Sequence, residues 1–405
     1  MLPPVLDRTS LPHRISPRQL ALSTLAAVLA FSLPLAAAHA ARSRHPVPPL
    51  QVIGYLFPRG QVIQPGQVAA QKLTRINYAF ANIQDGRIVA NNPIDAPNLA
   101  ALVALKQQNP SLKVLVSAGG WTWSGNFSDM ALTSQSRRVF IDSVVAFIRQ
   151  YQLDGLDIDW EFPGQIGDGN RFRPEDKQNY TLLLKELRQR LNREQRSLGR
   201  PLFLSVAAGA DTDFLDHTEM GQVARYVDTI NLMAYDYYEP GSEPITGNHA
   251  PLYTDPADPR HLSADRAIHE YEAAGVPARK IVLGVPFYGH VWANVPATNH
   301  GLLQPGSKFP NAFATYQNIL ATMLNQGFTR YWDSASSVPY LYSDAKSQFV
   351  SYEDPQSLAA KCAYVQHEGL GGIMFWEYNG DPSGTLLTTI YDAFYPAATH
   401  SGAGQ

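Results

Sequence analysis

The chain has one cysteine, Cys362, in 405 residues, which excludes an internal disulfide and a cysteine-built zinc cluster. Its eleven histidines are scattered without the close His-x-x-x-His pairing of a metal site, so no metal is expected. A net charge of −3, with no basic helix or arginine-rich tail, gives no footprint for nucleic acid. Internal repeats and a Pro/Thr linker are also missing. What remains, 45% hydrophobic and 17% charged, describes an ordinary globular protein with a large core, one that needs no disulfide staples.

The one long apolar run is at the start. Arg8, Arg14 and Arg18 precede residues 20–38, and the run ends in Ala38-His39-Ala40, a small-x-small pattern. This reads as a signal peptide over residues 1–40, followed by a linker over 41–50. A membrane anchor is the alternative, because the run is nearly long enough to span. Pro34 and the alanine-rich end favour cleavage and export, to the periplasm or the medium, with no membrane attachment afterwards.

Beyond residue 50 the chain alternates apolar, β-rich runs with amphipathic helical stretches. Eight strands are predicted, over 51–57, 75–83, 113–120, 153–161, 202–209, 229–236, 280–289 and 371–378. Between them, segments such as "RRVFIDSVVAFIRQY" and "EDKQNYTLLLKELRQRLN" place apolar residues at helical spacing. Eight such units over about 345 residues predict an α/β fold, a (β/α)8 barrel, which typically takes about 250. A doubly wound sheet is the alternative, but no Gly-x-Gly-x-x-Gly turn follows the first strand. The excess length falls in a tyrosine-rich stretch, read as an α+β insertion over 290–349 between the seventh strand and its helix. The barrel then covers 51–289 and 350–396, and 397–405 is a tail.

One strand stands apart. In "LDGLDIDWEF" (153–162), Asp157, Asp159 and Glu161 recur at every second position, with Leu156, Ile158 and Trp160 between them. Side chains alternate across a strand, so the acids share one face and the apolar residues the other. Burying carboxylates without partners is costly, so this pattern asks for a function. Neighbouring carboxylates cannot all ionise easily. One proton is therefore expected to be shared, and Asp159 can help keep Glu161, nearest the barrel mouth, protonated as a general acid. Other candidates gather at the same strand ends, where barrel active sites lie. They are Ser117 and Gly119-Gly120-Trp121, then Met233, Tyr235 and Asp236, and finally Tyr288 and Trp376. Singly, each reads more simply as a turn or as packing.

Together these segments resemble glycoside hydrolase family 18, the chitinase family. The carriers are "DGLDIDWE" (154–161), "SAGGW" (117–121), "MAYD" (233–236), "GVPFYG" (284–289) and "GGIMFWE" (371–377), and the likeness runs from Gln51 to Tyr395. The resemblance implies a retaining, substrate-assisted hydrolysis of N-acetylglucosamine polymers without a cofactor. Glu161 would be the acid, with Asp159, Asp157, Tyr235 and Asp236 completing the catalytic set. Trp376 would floor the −1 sugar and Trp121 would stack near +1, while Gly120, Met233, Tyr288, Tyr55 and Phe80 complete the substrate-binding set. Chitin or its oligosaccharides would be the partner, and the protein is expected to be a monomer. Two departures stand out: His290 occupies a position where many relatives carry arginine, and "GYLFPRG" lacks a tryptophan often found there. A lectin-like binding member of the family, or a hydrolase of peptidoglycan or of the N-glycan chitobiose core, are the rival readings.

Overall fold

The computed structural model describes residues 49–396; the expected signal peptide and C-terminal tail lie outside them. In chain order the strands are β1 (Gln51–Leu56), β2 (Arg75–Gln84), β3 (Arg87–Ala90), β4 (Lys113–Gly119), β5 (Gly155–Asp159), β6 (Phe203–Gly209), β7 (Thr229–Met233) and β8 (Ile281–Pro286). They continue with β9 (Tyr288–Ala293), β10 (Ser307–Thr315), β11 (Thr329–Asp333), β12 (Val338–Ser343), β13 (Gln348–Ser351) and β14 (Gly372–Trp376). Strands β1, β2, β4 to β8 and β14 pair in parallel, and the β1–β2 pairing closes them into a (β/α)8 barrel. The eight expected strands are all present. Strand β3, which pairs antiparallel with the end of β2, was not expected. It is four residues long, too short for its alternation to register in the sequence.

The helices follow from apolar spacing and local caps. In Ser134–Tyr151, Phe140, Ile141, Val144 and Ile148 are buried, and Thr133 caps the first turn in a reciprocal box with Ser136. In Asp176–Leu198, Tyr180, Leu183, Leu184, Leu187 and Leu191 are buried, and Gly199 ends the helix with a left-handed φ of 65°. Both helices contribute to the main apolar core, where Leu156, Ile158 and Trp160 from the acidic stretch also sit.

The barrel interior is divided. Ile53, Tyr55, Val282 and Met374 form a separate small apolar cluster. Buried polar residues make up much of the remaining interior: Arg75, Asn77, Ser117, Asp157, Asp159, Ser205 and Asn231. Arg75 donates to Thr229 at 2.7 Å near the base. Fully apolar packing would leave nothing to satisfy a buried acid; this half turns four donors to Asp157.

A second sheet, in the order β10-β9-β13-β12-β11, is antiparallel and falls between β8 and the helix Pro355–His367. It takes in Tyr288, which the sequence placed at the end of the seventh barrel strand. Gly289 permits the close approach, since a Cβ there would meet the Ser351 carbonyl at 2.5 Å. The chain returns to the barrel through a buried ion pair: Lys361 donates to Glu353 and, at 2.7 Å, to the Ala250 carbonyl. Burial pushes Glu353 up and Lys361 down, so each charge depends on the other.

Lys361→Ala should therefore destabilise the protein by about 3–5 kcal/mol, because it strands a buried carboxylate. Urea unfolding measures this. A double substitution that removes both charges and fills their volume with apolar groups should recover most of the loss.

Candidate active site

The acids are held by backbone before side chains. Gly119 has a φ of 110° and Gly120 one of 80°; a Cβ on Gly119 would lie 2.0 Å from the Asp159 carbonyl oxygen. Only glycine can bring β4 this close to the end of β5. The Gly120 N–H donates to that same carbonyl at 2.7 Å. Ser124 completes the fastening: its hydroxyl donates to the Gly120 carbonyl at 2.9 Å, lies 3.1 Å from the Asp159 carbonyl, and accepts the Glu161 N–H at 2.9 Å. Asn170 donates to the Glu161 carbonyl at 3.1 Å. Glu161 itself lies two residues past the end of β5, so the strand aims Asp157 and Asp159 while hydrogen bonds aim Glu161. Ser124 and Asn170 carry no signal in the sequence.

Asp157 is fully buried and receives four hydrogen bonds: from Tyr55 Oη at 2.8 Å, Ser117 Oγ at 2.9 Å, Asn231 Nδ2 at 3.1 Å and Ser205 Oγ. Burial leaves its pKa raised on balance, although the Ser205 hydroxyl, the Arg75 charge and the Tyr55 and Ser117 hydroxyls pull the other way. Four convergent donors suit an anion. The proton shared among the three acids therefore belongs above Asp157, on the Asp159–Glu161 pair. Asp159 is held well above the carboxylate range by burial first, then by the charges of Glu161 and Asp157. Burial, with the nearby Asp236 charge, pushes Glu161 up to about 8 against a lowering hydrogen bond from Asp159. One Asp159 oxygen, Oδ1, is buried and has no hydrogen-bond partner.

Around these acids lies a cavity of about 640 Å³, lined by Asp159, Glu161, Met233, Tyr235, Asp236, Tyr288, Trp121 and Trp376 among others. Tyr55 and Phe80 line it too, and Phe80 stacks on Trp376 with centroids 5.4 Å apart. Phe57 and Trp123, which belong to no motif singled out in the sequence, extend this aromatic wall. Asp157 and Gly120 are not on the lining. One sits beneath the cavity and the other is occupied in fastening Asp159. Trp121 stands at the rim, 52% exposed, against Phe162.

Asp236 sits on the cavity floor under different control. Tyr288 Oη donates to it at 2.7 Å, His290 Nε2 lies 2.8 Å away and His249 Nδ1 3.6 Å. Enclosure by the cavity walls would raise its pKa, although its side chain is 35% exposed, but the two histidines outweigh that effect and hold it well below the usual carboxylate range. The histidines diverge. Burial pushes His249 down to about 4, whereas for His290 the hydrogen bond and charge of Asp236 overcome burial and raise it. Asp236, His249 and His290 are also a trio whose ligand atoms lie within 4.8 Å of one another, a grouping the scattered histidines did not reveal in the sequence. His249 sits in a loop 13 residues after Asp236 and 41 before His290, and only the fold brings the three together.

These shifts fix a pH dependence. His290, displaced upwards, contributes stability that is complete below its free value, about 6.5, and fades as pH rises through its folded value. Asp236, displaced downwards, contributes stability above about pH 3.9 that is lost only as pH falls through its folded value. The stability gap between the wild type and Asp236→Asn should thus be wider at about pH 6 than at about pH 9, as urea midpoints would show. In Asp236→Asn, the His290 imidazole should titrate below its ordinary value, since burial persists without the charge; histidine NMR reads this directly.

Comparison with known proteins extends the picture. Residues 51–381 match the description of glycosyl hydrolases family 18. The chain is 37% identical to Chitinase A1 of Niallia circulans over 92% of its own length, and spans 62% of that protein. A family 18 N-acetylglucosaminidase from Paenibacillus barengoltzii superposes with a TM-score of 0.78 at 38% identity, covering 85% of this chain and 99% of that one. The class V chitinase of Nicotiana tobaccum, a mutant of which was solved with NAG4, gives a TM-score of 0.78 at 31% identity with the same coverages. Among the described residues, no helix is long and apolar enough to cross a membrane.

Proposed function

The chain belongs to glycosyl hydrolases family 18, and from that premise we propose that it is an exported chitinase, hydrolysing β-1,4 bonds between N-acetylglucosamine units with the substrate's own acetamide as nucleophile. The observation that carries this reading is the unpartnered, buried Oδ1 of Asp159 opening beside Glu161 and Tyr235. A buried acceptor of this kind calls for a donor from the ligand. An acetamido N–H is the donor that an N-acetyl sugar brings.

The sequence of steps follows from the charges. Glu161, protonated near neutral pH, gives its proton to the glycosidic oxygen as the C1–O bond breaks. The acetamido carbonyl oxygen bonds to C1 and forms an oxazolinium ion. Asp159 accepts the acetamido N–H and faces the positive charge, while Tyr235 donates to the oxygen. Glu161, now ionised, takes a proton from water as that water adds to C1 and opens the ring, so the β configuration is kept. This is the substrate-assisted exception to the two-carboxylate scheme. Trp376 forms the floor under the −1 sugar, Trp121 is a platform for the leaving sugar, and Asp236 supports the ring and the N-acetyl group. The protein is expected to act as a monomer, after removal of residues 1–40. A lectin role is disfavoured by an intact, protonated Glu161.

Glu161→Gln keeps the shape but cannot act as an acid, so turnover should fall by about 10²–10⁴-fold while oligosaccharide binding persists. Steady-state kinetics with calorimetric binding separate the two effects. Near wild-type turnover would place the acid elsewhere.

Fully deacetylated chitosan should not be cleaved, and a thiazoline analogue of the oxazolinium ion should inhibit competitively. Proton NMR should find the β-anomer as first product. Rapid cleavage of the deacetylated polymer, or an α-anomer, would exclude the acetamide as nucleophile.

A further inference from the structure

His249 has no task in the hydrolysis. Its ring is fully buried, and among the described residues neither Nδ1 nor Nε2 has a hydrogen-bond partner. A buried imidazole with both nitrogens idle has given up its bonds to water for nothing, so such a ring calls for a ligand. Its place is fixed through the backbone. The His249 N–H donates to Ser351 Oγ at 2.9 Å, and its carbonyl accepts the Tyr237 N–H at 3.1 Å. Ser351 on β13 pairs directly with His290 on β9. The second sheet thus holds both rings, His290 by its own strand and His249 through Ser351.

One nitrogen from each ring closes on the same oxygen. His290 Nε2 lies 2.8 Å and His249 Nδ1 3.6 Å from Asp236 Oδ1. The ligand atoms of the trio all lie within 4.8 Å of one another. Around a tetrahedral zinc ion, with ligands at about 2.0–2.2 Å, donor atoms stand roughly 3.3–3.5 Å apart. The His290–Asp236 contact would need to open by only about half an ångström to admit one. Asp236 and His290 line the large cavity, whereas His249 is buried behind them. An ion can therefore enter from the cavity and keep its fourth position on that side. Tyr288 Oη, which donates to Asp236 at 2.7 Å, would orient the ligating carboxylate from outside. Two imidazoles and one carboxylate suit a borderline transition ion, since calcium and magnesium prefer oxygen throughout.

We propose that Asp236, His249 and His290 form a three-ligand site for a divalent transition ion of the zinc type, and that an ion held there shuts substrate out of the cavity. The second half rests on the reading above, in which Asp236 supports the sugar. Asp236 cannot ligate an ion and serve the sugar at once, and the ion's open position faces the space the sugar would fill. The site is therefore inhibitory, and metal and oligosaccharide compete for it.

The test uses untagged protein stripped with EDTA and titrated with Zn²⁺ in a calorimeter. One ion per chain should bind. His249→Phe and His290→Gln should each weaken that binding by at least about tenfold, since even changes outside the ligand set cost that much. Circular dichroism checks that both variants fold. Co²⁺ absorption of the wild type needs no variant, because intense visible bands mark a four-coordinate site. In chitohexaose hydrolysis, zinc should raise KM several-fold and leave kcat unchanged. Weak cobalt bands typical of a hydrated ion, or equal zinc affinity in wild type and both variants, would overturn the site. A fall in kcat at constant KM would overturn the exclusion of substrate. Protein that binds zinc through the trio but neither binds nor cleaves chitohexaose would overturn the chitinase reading, and the exclusion with it, while the metal site stands.

Discussion

Everything in the barrel's inner half answers to one constraint, the presence of buried carboxylates in a row. A barrel interior is ordinarily filled by branched apolar side chains. Here Asp157 and Asp159 occupy inward positions of β5, and their neighbours have changed to suit. Ser117 from β4, Ser205 from β6, Asn231 from β7 and Tyr55 from β1 all turn donors toward Asp157. Remove that set and Asp157 would have to take up a proton or unfold its surroundings. With it, the lowest acid can stay ionised, and its charge helps to keep the next proton on the pair above.

The division between what was legible and what was not follows from the range of the interactions. The strands, the long helices and the acidic alternation are local periodicities, and they appear directly in the residues. Trp121, Tyr235, Tyr288 and Trp376 could be placed because strand ends of a barrel converge. The supporting donors were hidden for the opposite reason. Ser205 and Asn231 are ordinary polar residues in apolar strands, and only strand order brings them to Asp157. Ser124 is still less visible, since its work is done with backbone groups whose positions no side-chain pattern encodes. The reach of Glu161 past its strand is a consequence of the same fastening.

Asp236 shows a different way of holding charge, at a position whose side chain is still 35% exposed. Its neighbours are ionisable rather than neutral: His290 can carry a proton beside it, and His249 is kept neutral by burial. Two acids a short distance apart are thereby pushed in opposite directions, Glu161 towards the protonated form and Asp236 towards the ionised one. One carboxyl favouring its proton and another favouring its charge, on the lining of one cavity, follow from environment alone. Because it gains and loses a proton, His290 makes the local positive charge depend on pH.

The second sheet grows out of the barrel with no linker. Strand β8 ends at Pro286 and β9 begins at Tyr288; between them Phe287 is buried and stacks on Phe375 with planes only 5° apart. The lobe's first residue is thus also the residue whose hydroxyl grips Asp236. A wall built this way has no joint about which to swing. The width of the groove is inherited from the backbone that joins β8 to β9. To the extent that the wall is set in advance by the backbone, a ligand entering it gives up its own freedom without also having to organise the protein.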